Sequence, residues 1–113
     1  MLEVSFKKKD KPQEMRVFLF NDLILITREH KKTLEYRRSL HLEHSKITNL
    51  ADMFAADSFS WEMRDTKKKE TTNFYAHSHS EKVTWMKSIQ KLIKEYQREQ
   101  FASMYPKLFR SYP

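Results

Sequence analysis

The chain has 113 residues, of which 39% are hydrophobic and one third charged, a size and balance that suit a single globular domain with one core. It contains no cysteine, which removes disulfides, thiolate nucleophiles and cysteine-based zinc sites. It also contains no glycine, so phosphate-cradling loops, dinucleotide fingerprints and Gly-flanked nucleophile elbows are all excluded. A formal charge of +7 favours an anionic partner without choosing among lipid, nucleic acid and acidic protein.

The first strand is expected at Leu2, Val4 and Phe6, which alternate with polar residues; the turn-rich stretch Lys8 to Glu14 with Pro12 follows. Met15 to Phe20 and Leu23 to Arg28 are two apolar, β-prone runs separated only by Asn21-Asp22, residue types that tolerate the positive φ of a two-residue hairpin turn. A fourth strand is read over Leu34 to Leu42, where Leu34, Tyr36, Leu40 and Leu42 share one parity and Arg38 intrudes on it. Shorter strands are expected at Lys46 to Leu50, Ser58 to Arg64 and Asn73 to His77. Seven short strands punctuated by turns predict an antiparallel sandwich or barrel.

From Glu81 the period changes. Trp85, Ile89, Leu92 and Tyr96, widened by Val83, Met86 and Ile93, form one apolar stripe of a helix running to about Gln100, with Ser78 and Glu81 spaced as a capping box and Ser80 as the alternative cap of a helix that begins later. One helix with one stripe cannot make a bundle, so it must cover an open end or edge of the sheet. The aromatics Phe18, Phe20, Trp61 and Trp85 are assigned to the core. Even the longest apolar runs, such as Val17 to Phe20, are too short for a secretory signal or membrane span, so the chain is expected to be cytoplasmic.

This layout resembles the pleckstrin-homology (PH) family. Trp85 in EKVTWMKSIQKL (Glu81 to Leu92) sits where that family keeps its helix tryptophan. The hairpin RVFLFNDLILIT (Arg16 to Thr27) is similar to strands two and three of PH domains that follow the exchange (Dbl-homology) domain of Rho-family guanine-nucleotide exchange factors. The resemblance covers roughly Leu2 to Gln100. It implies a mainly β, seven-stranded antiparallel barrel of two packed sheets closed by one C-terminal helix, a PH domain over 1–103 and a tail over 104–113. It further implies a non-catalytic regulatory module without a cofactor. Its partners would be anionic membrane lipids, transiently at the inner face of the plasma membrane, together with a Rho-family GTPase and the adjacent exchange domain.

Basic residues concentrate in three stretches: Lys7, Lys8, Lys9, Lys11 and Arg16; Arg28, Lys31, Lys32, Arg37 and Arg38; and Arg64, Lys67, Lys68 and Lys69. Up-and-down alternation puts the first and third loops at one end of the sheet. The resemblance adds the sixth-to-seventh loop, around the mouth where PH domains meet phosphoinositides. Lys7, Lys9, Lys11, Arg16, Arg28, Lys32, Arg37, Lys67 and Lys68 are therefore the candidate phosphoinositide-binding residues, since Arg and Lys satisfy phosphate oxygens by charge-assisted hydrogen bonds. Tight-binding members carry a lysine near the end of strand one and a basic residue two positions before an arginine of strand two. Lys7 or Lys9 and Arg16 supply the outer elements, but the middle position is Glu14, which favours weak, unselective attraction.

A second reading of the same superfold is a peptide-binding scaffold that uses the edge between strand five and the helix. Nucleic-acid binding is not expected, because the basic residues lie in loops and not among exposed aromatics. No metal is expected either. The pairs His77/His79, read as sharing one strand face, and His41/His44 lack a completing ligand set. Asp52 and Asp57 show no second group that would support acid–base chemistry.

Overall fold

The computed structural model describes residues 1–7, 10–53 and 58–104. Seven strands form: β1 (Leu2–Ser5), β2 (Gln13–Leu19), β3 (Leu23–His30), β4 (Thr33–His41), β5 (Ser45–Asn49), β6 (Phe59–Asp65) and β7 (Glu70–Ala76). A single-turn 3-10 helix, Leu42–His44, links β4 to β5, and α1 (His79–Met104) closes the chain. All pairings are antiparallel, in the order β4-β3-β2-β1-β7-β6-β5. The two expected halves are thus joined through β1, which pairs with both β2 and β7.

Alternation along the strands sends Leu2 and Val4, Met15, Ile24 and Ile26, Leu40, Trp61 and Met63, and Phe74 and Ala76 into one core, where most are fully buried. Trp61 and Phe74 stack at 5.3 Å between ring centroids. The helix lies against the 3-10 helix, β6 and β7 and adds Met86 and Ile89. Its start is the expected one: Ser78 Oγ accepts the Glu81 backbone N–H at 3.1 Å, satisfying one of the free donors of the first turn. Trp85 packs against the core rather than inside it.

Three features depart from the sequence reading. First, β4 carries a one-residue bulge: Ile26 pairs with Arg38 but Thr27 pairs with Tyr36, leaving Arg37 as the extra residue. A bulge reverses side-chain parity beyond it. Leu40 and Arg38 therefore face inward, while Tyr36 and Leu34, which share their parity in sequence, stand outside at 62% and 50% exposure. Second, Phe18 and Phe20 are not core. Met15, Val17 and Leu19 take the inward positions of β2, so the alternate residues project outward, and Phe20 is half exposed. Third, the Asn21-Asp22 turn forms, closed by Phe20 N–H to Leu23 O, yet neither residue adopts positive φ. Asp22 is instead held from outside, its carbonyl accepting the Leu42 N–H at 2.9 Å. The left-handed residues among those described are Lys31 (φ 46°), Lys32 (φ 68°) and Lys69 (φ 57°).

Candidate functional site

Antiparallel register brings the β1–β2, β3–β4 and β6–β7 connections to one end of the ribbon, because Ser5 at the end of β1 lies beside Asn73 near the start of β7. Curling of the sheet then distributes the described members of the predicted basic set among different surroundings. Lys11 and Arg37 line one pocket with Ser5, Phe6, Asp10 and Gln13. At about 80 Å³ it is smaller than the roughly 300 Å³ at which ordinary ligand pockets begin. The β1–β2 loop beside it is held by Ser5 Oγ, which donates to the carbonyls of Lys7 and Asp10. Lys9 lies outside the described residues.

Arg16 stands on the outer face of β2, 3.6 Å from Glu29 on β3. Arg28 pairs in register with Glu35, whose carboxylate is 3.4 Å from Arg37. Lys32 is the second residue of the tight β3–β4 turn, closed between His30 and Thr33. Lys67 and Lys68 belong to a separate concavity of about 380 Å³, shared with His41, Glu43, His44 and Asp65. Their backbone N–H groups both donate to Asp65 Oδ1 at 2.9 Å. Burial pushes the Asp65 carboxyl up, but these two bonds, with the Lys68 ammonium and His44, outweigh it and hold the group below its ordinary value.

Arg38, placed inward by the bulge, is the residue that ties the mouth together. Its Nη1 donates to Thr71 O at 3.2 Å and Thr72 Oγ1 at 3.0 Å, its Nε lies 3.7 Å from Glu70, and its guanidinium sits 4.3 Å over the Phe6 ring. It joins β4 to β7 and to Phe6, the residue that follows β1, across the barrel opening. The only sequence signal for this role is the charged intruder among apolar residues of one parity.

A second cluster escapes sequence reading altogether. Lys82, 3% exposed on α1, donates from Nζ to Asp52 Oδ1 at 2.6 Å and to Leu50 O at 2.5 Å. His79 Nδ1 meets Asp52 Oδ2 at 2.5 Å. The Lys82 ammonium, then His79, holds the Asp52 carboxyl below its usual range despite the opposing effect of burial. These contacts span about thirty positions in sequence and pin the segment after β5 to the start of the helix, beside a cavity of about 370 Å³ floored by Leu50, Val83 and Met86. His77 and His79 do not share a strand face, since β7 ends at Ala76 and His79 begins α1. Asp57 lies outside the described residues. Among those described, no group of three or more histidine or acidic side chains is disposed to hold a metal ion.

The outer face of β2, β3 and β4 carries a further unexpected feature. Phe18, Phe20, Leu25, Leu34 and Tyr36, with Thr27 between them, form an apolar groove of about 360 Å³ open to solvent. Both deviations noted above, the bulge and the outward phenylalanines, contribute to it.

A curled seven-stranded antiparallel sheet closed by one capped helix is the architecture of a PH domain. A family model for the SOS1/NGEF-like PH domain matches residues 1–92, and the chain belongs to that family. Solved structures agree on the fold. An activated truncation of Vav1 superposes with a TM-score of 0.78 at 10% identity, over 89% of this chain and 27% of the other. The DH/PH fragment of PDZRHOGEF in complex with human RhoA gives 0.71 at 20% identity, over 84% and 28%. A linker-DH/PH fragment of p115-RhoGEF gives 0.68 at 20%, over 83% and 28%. The matched region thus spans little more than a quarter of each of these longer chains. No sequence among the curated proteins matches it.

Proposed function

We propose that this PH domain is a non-catalytic regulatory module of a Rho-family guanine-nucleotide exchange factor, which contacts the exchange domain or the GTPase through the outer face of β2–β4. The exposed apolar groove of Phe18, Phe20, Leu25, Leu34 and Tyr36 carries this reading. Contiguous apolar surface of this kind on a small domain marks a place where another surface is meant to dock. Support comes from structural neighbours that include DH/PH fragments of PDZRHOGEF and p115-RhoGEF, the former solved in complex with human RhoA. The test is isothermal titration of the domain with the isolated exchange domain and with Rho-family GTPases in both nucleotide states. Binding that is lost in a Phe20→Ser/Tyr36→Ser variant with an intact fold supports the reading; binding that survives the double substitution overturns it.

The mouth supplies a second, weaker activity on the same reading: unselective attraction to anionic lipid, transiently at the inner face of the plasma membrane. Lys7, Lys11, Lys32 and Arg37 lie around it, and each basic residue near an anionic leaflet is worth roughly 1 kcal/mol. Glu14 beside them and the small volume of the Lys11–Arg37 pocket favour diffuse attraction over a fitted headgroup. Co-sedimentation with phosphatidylserine vesicles that falls steeply with salt, and gains little from added phosphoinositide, is the expected result. Salt-insensitive binding or none would refute it.

A further inference from the structure

The bulge that turns Tyr36 outward also makes it the most exposed phenylalanine, tyrosine or tryptophan side chain among the described residues, at 62%. Its hydroxyl reaches Ser39 Oγ at 3.1 Å, a contact open to solvent. Tyr75 and Tyr96 are half-buried, and the Tyr96 hydroxyl is engaged by Glu43 and Gln100. Tyr36 also lies on β4, an edge of the seven-stranded sheet. An edge strand presents an extended backbone with one side unpaired, so an enzyme cleft can approach it, and pair with it, without opening the sheet.

The surroundings decide what a charge placed here would do. Arg37 and Arg38, which follow Tyr36 in sequence, are held elsewhere: Arg37 pairs with Glu35 and lines the small pocket at the mouth, and Arg38 is tied to β7. On the outer face Tyr36 instead shares a row with Thr27 and Arg16, in register across β4, β3 and β2. Two strand spacings put the Arg16 and Tyr36 backbones roughly 10 Å apart, within the combined reach of an arginine and a phosphorylated tyrosine. The Arg16–Glu29 pair is solvent-exposed, and such pairs contribute little, so Arg16 can change partner.

We propose that Tyr36 is a phosphoacceptor for a tyrosine kinase, and that the phosphate, held by Arg16, closes the β2–β4 groove to an apolar partner. In the step itself the phenolic oxygen attacks the γ-phosphorus of magnesium-bound ATP, the bond from that phosphorus to the β,γ-bridging oxygen breaks, ADP leaves, and the phenolic proton passes to the kinase's catalytic carboxylate. The product carries a charge of about −1.5 to −2 at pH 7, set among Phe18, Leu25 and Leu34. A partner that buries those side chains must then strip water from the dianion, a cost that Arg16 offsets only in part. The acceptor role stands on the exposure and edge position of Tyr36; its effect on docking rests on the groove reading proposed above.

The experiment incubates the whole chain with magnesium-ATP and the catalytic domains of one receptor and one non-receptor tyrosine kinase, and maps phosphate by intact mass and fragment ions. Phosphate at Tyr36 is expected, and Tyr36→Phe should lose it; a chain left unmodified at Tyr36 by both kinases overturns the proposal. Because the acceptor is the folded surface, Ile89→Val, a core change on α1 that raises the unfolded fraction about fivefold, should leave the rate of labelling unchanged. A rate that rises in step with the unfolded fraction makes the unfolded chain the substrate and overturns it. In NMR spectra of the phosphorylated chain the Arg16 side-chain Nε–H should shift together with the amides of Phe18 and Leu25; changes confined to residues 35–37 would overturn the closure of the groove. Isothermal titration with the exchange domain and with Rho-family GTPases should then show affinity at least about tenfold weaker after phosphorylation. Docking that phosphate leaves unchanged overturns the closure. If the unmodified chain binds neither partner while Tyr36 is labelled and Arg16 shifts, the docking reading falls and the acceptor site stands.

Discussion

Replacing Lys32 with glycine should stabilise the domain, an outcome opposite to the usual effect of removing a side chain from a hairpin. Lys31 and Lys32 close the β3–β4 turn with φ of 46° and 68°, both left-handed. A two-residue turn of this kind is normally built from Asn-Gly, because every other L-residue brings its Cβ against the following carbonyl at about 1–2 kcal/mol each. Lys32→Gly relieves that term and loses about 0.5–1 kcal/mol to the greater freedom of the unfolded chain. The net gain is about 1 kcal/mol, or roughly 4 °C in melting temperature for a domain of this size. Urea and thermal unfolding of wild type, Lys32→Gly and Lys32→Ala measure it. The alanine variant is the control: it removes the same charge and keeps the Cβ, so it should not be stabilised. If alanine and glycine shift the midpoint equally, or glycine lowers it, the left-handed turn is not a source of strain. The charge removed by either variant should also weaken vesicle binding slightly, separating the functional use of a lysine here from its conformational cost.

Arg38→Met should cost about 2–3 kcal/mol, because it deletes two hydrogen bonds and the cation–π interaction with Phe6 at the barrel opening and leaves Thr72 less well satisfied. A loss under about 0.5 kcal/mol in chemical denaturation, the level of an ordinary surface change, would remove its role as the tie between β4 and β7. Asp52→Asn should lower the unfolding midpoint at neutral pH. Because the folded-state pKa of Asp52 lies below the ordinary 3.8, its contribution is full above that value and fades as pH falls through the depressed one. Wild type and variant should therefore converge in acid; a difference that stays constant down to about pH 2 contradicts the pairing. Finally, Tyr36→Ser and Phe20→Ser should stay within about 0.5 kcal/mol of wild type while Trp61→Ala loses about 3–5 kcal/mol. Comparable losses at Tyr36 and Trp61 would mean that the β4 bulge is misplaced.

Local patterning alone determined the elements and their order. Period-two runs, the Asn21-Asp22 break and the switch to period three to four after Ser78 mark seven strands and a capped helix, because side-chain direction follows from backbone period with no knowledge of distant neighbours. The family followed from the same residues, with Trp85 and the Arg16–Thr27 hairpin as its signature. What only the tertiary structure decided are the faces and the pairings. A single extra residue at Arg37 turned Leu34 and Tyr36 outward and Arg38 inward, and a bulge leaves no mark in a sequence whose parity reads as continuous. The aromatic run at Phe18 and Phe20 is equally apolar on both faces, so composition could not say which face water reaches. Lys82 with Asp52, and Lys67 and Lys68 with His41 and His44, meet only because the sheet curls and the helix folds back on it. Charge counted along the chain therefore found the basic loops, and curvature decided which of them share a site.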